Sequence, residues 1–600
     1  MTVTPARPPG ADARPTVPRA RTSEEDTARA PAPKGFLARA AFVTVALSLA
    51  GAVLGLLRDQ ALARLFGAGS ETDAFLVAWT VPEFAATLLI EDGLAFALVP
   101  AFSRALARRA QGVPGDPVRA LVRVTLPRLT LAFVAVAALL IAAAPWLVRA
   151  LAPGLPHPAL AVSCTRLTAT CVVSFGLAGY CSAALRAHRR FLAPAAIYVA
   201  YNAGIITGMF ALGGRWGVRA AAAGVAVGGL LMVATQLPSL WRRLRTRGPV
   251  GADRAVPRAP FGARLRGAPD RGAGNCANEP HRPAGVQETV QEPVPPAGRD
   301  RSIDLALIGT VLLFALCRQS QVLIERFLAS RLPSGAISHL NYAQKVAQMP
   351  MALSLMLCTV TFPVVARALA DGDTERARTR VERDLALVAT LVLLGTAVVV
   401  ACAPQIIDVL FQRGAFTARD TAATAGVMRV YALGLLGQTL TGALVRSYFS
   451  AGRATWYPVA SMTAGIVVTA WIGALAVGPW GVLGIAAANA TGITVTAVLL
   501  LAGMGTARAA RHGAPRGIPI RTRSVLRELG KPVRAALVAT AAGAFAASRT
   551  GTPVAGLAVG TLTVTVVFVL LARALDAQGV APALRTVRTV TQRLAHGLFR

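Results

Sequence analysis

The sequence predicts an all-α polytopic membrane protein with about fourteen transmembrane helices, arranged as two parallel six-helix repeats plus a C-terminal helix pair. Three observations predict it. Long apolar runs recur from Phe36 onward, each long enough for the roughly 20 helical residues that cross a hydrocarbon layer of about 30 Å. The runs are continuous, without the alternating apolar and polar pattern of a transmembrane barrel. Finally, 54% of the 600 residues are hydrophobic and only 15% are charged, too few charges to cover the surface of a soluble fold.

The formal net charge of +34, from 62 Lys+Arg against 28 Asp+Glu, would suit a nucleic-acid binder. A mean hydropathy of +0.55 does not, so no nucleic-acid partner is expected. The chain has no HExxH, GxSxG or GxxxxGK[ST] motif, and its seven cysteines form no CxxC pair. Neither an enzyme nor a metal site is expected, and no cofactor is implied; a coupling ion, if transport uses one, is left unidentified.

In chain order, residues 1–35 are rich in Pro, Arg and Thr without periodicity and are expected to form a disordered cytoplasmic tail. The first six spans are expected near 36–57, 73–101, 124–151, 161–185, 192–213 and 217–240, making an N-terminal bundle over 36–241. Residues 242–302, rich in Arg, Pro and Gly, separate it from a second bundle over 303–506. The second six spans are expected near 304–330, 338–366, 385–411, 424–450, 456–478 and 481–506. A basic loop at 507–532 precedes the last pair, 533–549 and 552–575, within a segment ending at 576, and a basic tail fills 577–600. With an even span count, the Arg-rich loops and both tails share one side. The positive-inside rule then places both termini in the cytoplasm of a bacterial plasma membrane protein, with anionic lipid headgroups as partners.

The two bundles resemble each other. Pro100 and Arg104 after span two match Pro363 and Arg367 after span eight; Pro145 matches Pro404, and Arg186 matches Arg446, all at an offset of about 260 residues. Because six is even, the halves are expected to be related by an axis along the membrane normal, the plan of transporters that rock two bundles about a central cavity.

An ionisable side chain within hydrocarbon costs a few kcal/mol, so it is expected to face a cavity or a partner. Arg318, Gln321 and Glu325 share one helical face of span seven, and Ser338, Asn341, Lys345 and Gln348 one face of span eight. Both stripes would line the cavity; alternatively Arg318 and Glu325 pair with each other, and Lys345 snorkels to an interface. Arg58 and Asp59 close span one and Asp73 opens span two, where all three could simply be interfacial. Glu83 and Glu91 lie deeper, and Pro82 is expected to kink or break that span near its middle.

These residues carry a resemblance. Gly55-Leu-Leu-Arg58-Asp59, Ala63-Arg64-Leu-Phe-Gly67, Thr72-Asp73-Ala74-Phe75, Val81-Pro82 and Leu410-Phe-Gln-Arg-Gly414-Ala-Phe416-Thr417 resemble the MurJ (MviN) lipid II flippase family. That family belongs to the multidrug/oligosaccharidyl-lipid/polysaccharide exporter superfamily. The resemblance, over about 36–576, implies fourteen spans and transfer of a polyprenyl-diphosphate-linked cell-wall precursor from inner to outer leaflet by alternating access. It implies a cationic central cavity, and a lipid groove that includes the last two helices. Arg58, Asp59, Asp73 and Glu91 match charged positions of the family pattern. Three arginines of that pattern are Ala52, Ala86 and Thr87 here, and its Asp-Arg in span eight is Gln344-Lys345. These departures keep two other readings open: an exporter of another lipid-linked glycan or a small molecule, and a transport-deficient scaffold that recruits cell-wall synthesis proteins. The cavity residues expected to matter are Arg58, Asp59, Asp73, Glu91, Arg318, Glu325, Asn341, Gln344 and Lys345.

Overall fold

The computed structural model describes residues 34–91, 93–111, 115–245, 305–352, 354, 373–450, 455–504 and 520–579. The first half contains α1 (Lys34–Phe66), α2 (Ser70–Ala78), α3 (Thr80–Ala85), a π-helical turn (Ala86–Glu91), α4 (Gly93–Ala110), α5 (Pro117–Leu151), α6 (Pro158–Ala169), α7 (Cys171–Ala187), α8 (Leu192–Trp216) and α9 (Arg219–Arg245). The second contains α10 (Leu305–Ala329), α11 (Ala336–Ala347), α12 (Thr374–Ala401), α13 (Ala403–Phe411), α14 (Ala418–Leu433), α15 (Leu435–Ser450) and α16 (Tyr457–Gly503). The final pair is α17 (Thr522–Ser548) and α18 (Pro553–Ala574).

Among the described residues nine helical stretches are long and apolar enough to cross a membrane, from Ala46–Phe66 to Pro553–Ala574. The total of fourteen rests on the sequence. Large apolar side chains face outward along these helices, with Leu131, Leu139 and Trp146 of α5 and Leu562 and Leu570 of α18 all exposed. Such a surface suits lipid.

Small residues let the helices close up. A Cβ on Gly204 of α8 would lie 2.7 Å from the Gly228 Cα of α9, so the backbones touch. The second half repeats the device: α16 bends at Gly481, where φ is 54°, and its two limbs meet at Gly465 and Gly492. Spans five and six therefore pack as spans eleven and twelve do. In the final pair, Gly543 of α17 packs on Val564 of α18, and Gly560 of α18 on Cys402 at the end of α12.

Two boundaries differ from expectation for physical reasons. The first span was expected to stop at 57, before Arg58 and Asp59, but α1 continues to Phe66 because those charges are neutralised sideways. The second span breaks at Trp79, between α2 and α3, with Pro82 in the first turn of α3 where its missing N–H costs nothing. Expectations for 1–33, for 246–304, for Pro363 and Arg367, and for the basic segments at 505–519 and 580–600 lie outside the described residues.

Candidate functional site

Arg58 sits on α1, about two turns before its end at Phe66. Its Nη2 and Nε lie 2.7 Å and 3.0 Å from Oδ1 of Asp59, and its Nη1 donates to Asn202 Oδ1 of α8 at 3.1 Å. Asn202 is itself fixed, because its amide nitrogen donates to the Gly51 and Tyr198 carbonyls. From the second half, Lys345 of α11 brings its Nζ to 3.4 Å from Asp59 Oδ2. Trp79 floors the cluster, with the Arg58 guanidinium 4.4 Å and the Lys345 ammonium 5.4 Å from its ring centre.

Two cations share one carboxylate here, so the cluster keeps one unit of positive charge and can take an anion. These groups line a narrow pocket of about 10 Å³, room for about one water molecule, walled on its apolar side by Leu62 and Phe75. That is far below the roughly 300–1,000 Å³ of ordinary ligand sites, so a bulky ligand enters only if the halves part.

A second cross-half contact lies beside it. Arg326 of α10 places Nη2 3.3 Å from Glu83 Oε2 of α3, and Gln319 donates to Thr87 Oγ1 at 2.9 Å. Here Thr87 stands at one of the positions where the resemblance puts an arginine, and it serves as a neutral acceptor.

The third contact closes one end of the molecule, at the turns 67–69 and 330–335. Asp73 of α2 caps α11 across the interface: Oδ2 accepts from Gly335 N at 2.7 Å, and Oδ1 from Ser338 N at 2.8 Å and Ser338 Oγ at 2.6 Å. Gly335 has φ 95°, and a Cβ there would sit 2.5 Å from the Ala68 carbonyl oxygen. Ala415 N donates to the Arg64 carbonyl at 2.9 Å, and Gly154 N to Ser330 Oγ at 3.4 Å. This end is joined mainly through backbone groups.

Of the residues singled out from sequence, Arg58, Asp59 and Lys345 come together as one site. Asp73 joins the halves as a helix cap and does not line that pocket. Glu91 is exposed at the end of the π-helical turn and accepts from Tyr198 Oη at 3.0 Å. Asn341 is buried one turn before Lys345 on α11, and Gln344 is half-buried.

The expected stripe on α10 needs correction. Glu325 accepts from Asn489 of α16, inside its own half, and Gln321 is buried while Arg318 is exposed. The face that meets the first half carries Gln319 and Arg326, one residue further along in each case. One residue turns the face by about 100°, enough to exchange a cavity wall for a bundle interior. Nor do Arg318 and Glu325 pair with each other in the ion pairs found.

Trp79 and Asn202 were missed. Asn202 had a usable signal, as an amide set in the apolar run 192–213. Trp79 had none, since an aromatic in a span is ordinarily packing.

The family model described as lipid II flippase MurJ matches residues 62–529. A lipid II flippase MurJ from Burkholderia cenocepacia is 27% identical over 421 residues, covering 69% of this chain and 73% of that protein. A probable lipid II flippase MurJ from Synechocystis is 26% identical over 436 residues, with 69% and 72% covered. Among solved structures, a lipid II flippase MurJ in an inward closed conformation aligns with a TM-score of 0.64 at 17% identity, covering 89% of this chain and 100% of that one. An inward-facing multidrug resistance MATE family transporter of the MOP superfamily aligns at 0.57 and 14%, with 79% and 100% covered. The likeness to these two structures is one of fold.

Proposed function

The chain belongs to the lipid II flippase MurJ family, and on that premise we propose that it moves a polyprenyl-diphosphate-linked cell-wall precursor from the inner to the outer leaflet for peptidoglycan synthesis. The observation that carries this reading is the Arg58–Asp59–Lys345 cluster over Trp79, in which each half contributes one cation to a single carboxylate. A diphosphate arriving between the halves replaces Asp59 as the acceptor for both. A diphosphate carries more negative charge and more acceptor oxygens than one carboxylate, so it can engage both cations at once.

Alternating access follows from where the halves are joined. With both termini in the cytoplasm, the Asp73–Gly335 contact closes the outer end, and the headgroup enters from the inner leaflet while its polyprenyl tail stays in lipid. Breaking the Asp73 cap then opens the outer end. An inside-negative potential assists outward passage by about 2.3 kcal/mol per negative charge per 100 mV.

The test is replacement of the resident flippase in depleted bacteria. The full chain is expected to sustain growth and to deliver lipid II to the outer leaflet, and Lys345→Gln to fail at equal expression. A well-expressed native chain that leaves lipid II inside would sink the reading.

A further inference from the structure

The Arg326 guanidinium is less satisfied than its position requires. Its side chain is only 6% exposed, its Nη2 meets Glu83 Oε2 at 3.3 Å, and its Nε and Nη1 are buried without a hydrogen-bond partner among the described residues. An arginine carries five N–H donors and normally satisfies them when buried. The adjacent carboxylate does not help, because Glu325 accepts from Asn489 instead. Glu83, by contrast, is 31% exposed, so it reaches the guanidinium from the less enclosed side of the pair. The pair bridges the halves, α3 to α10, next to the Gln319–Thr87 bond. Arg326 does not line the Arg58–Lys345 pocket.

Resting on the flippase reading, we propose that Arg326 is a second oxyanion-binding residue for the lipid headgroup, with Glu83 occupying its guanidinium while the halves are closed. Parting the halves withdraws Glu83 with the first half and leaves the planar fork on α10 with a free edge. That edge fits two oxygens of one phosphoryl or carboxylate group, a match that a lysine cannot reproduce. In this geometry the two anion sites are formed differently: Arg58 and Lys345 converge from both halves, whereas Arg326 belongs to one half and is uncovered by the other. The oxyanion is either the second phosphoryl group of the diphosphate or a carboxylate of the headgroup peptide.

Binding of three lipids to the purified full chain tests this: undecaprenyl phosphate, undecaprenyl diphosphate and lipid II. Arg326→Lys is expected to lose roughly tenfold in affinity, the effect of a charge-assisted bond lost or weakened. Loss already evident with undecaprenyl diphosphate assigns the second phosphoryl group, and loss confined to lipid II assigns the peptide carboxylate. Glu83→Gln removes the internal competitor and is expected to tighten binding of that same lipid several-fold, a gain that a merely destabilised protein does not show. Unchanged affinities in both variants overturn the proposal alone. A native chain that binds none of the three lipids overturns the flippase reading and this proposal with it.

Discussion

At the closed end the halves are joined by Asp73 accepting three hydrogen bonds from Gly335 and Ser338, whereas about two turns further in they are joined by Arg58 and Lys345 sharing Asp59. Both contacts place one buried carboxylate of the first half against groups of the second. They differ in what opposes it. Asp73 faces neutral donors held by the start of α11, so its oxygens are satisfied only at one helix orientation. Asp59 faces two cations, so its place can be taken by another anion of suitable shape. The first arrangement fixes a conformation, and the second leaves a charge available for exchange. Both act through α11, which carries Ser338 at one end and Lys345 two turns on.

Breaking the fixed contact should have the largest effect. Asp73→Ala strands the buried donors of Gly335 and Ser338, at about 1–3 kcal/mol for each unsatisfied group. We expect the closed end to open, read as faster labelling of Ala68→Cys by a membrane-impermeant maleimide, together with loss of flipping. Labelling as slow as in the unmutated background would break the comparison. Gly335→Ala acts on the same contact more weakly, through a left-handed backbone and a Cβ 2.5 Å from the Ala68 oxygen. Its expected cost of about 1–3 kcal/mol should lower Tm and raise the same labelling.

On the exchange side the effects are smaller. Asn202→Ala removes the acceptor that aims Arg58 Nη1, a neutral-to-charged bond 3.1 Å long. Lipid II affinity should fall about five- to tenfold, near 1–1.5 kcal/mol, with some loss of Tm because the Gly51 and Tyr198 carbonyls also lose their donor. A lowered Tm with unchanged affinity would make Asn202 a packing residue. Glu91→Gln should do least, because Glu91 is exposed and its recorded partner is the Tyr198 hydroxyl. Less than a twofold change in flipping rate is expected, and a tenfold loss would move Glu91 into the exchange site.

The sequence made part of this arrangement legible. Arg58, Asp59 and Lys345 stood out because a charge in an apolar run must be compensated, and that rule needs no structure. Their convergence on one carboxylate did not, since Asp59 and Lys345 are nearly half a chain apart and meet only when the two repeats are apposed. The helical period grouped Arg318, Gln321 and Glu325 as one stripe, but Arg318 is exposed while Gln321 and Glu325 are buried, a division set by neighbouring helices that the period does not encode. Asp73 was visible as a charge near a helix end, yet its role depends on the start of α11, which sequence places only approximately. Pro82 announced a break, while the π-helical turn Ala86–Glu91 has no residue signature of its own.

The central claim is that the shared carboxylate holds two cations that a lipid diphosphate then takes. Lipid II affinity of the purified full chain, compared among the native protein, Asp59→Asn and Lys345→Gln at one salt concentration, tests it most directly. The account predicts tighter binding in Asp59→Asn than in the native chain, and roughly tenfold weaker binding in Lys345→Gln. Equal affinities in all three proteins, with Tm retained, would contradict it.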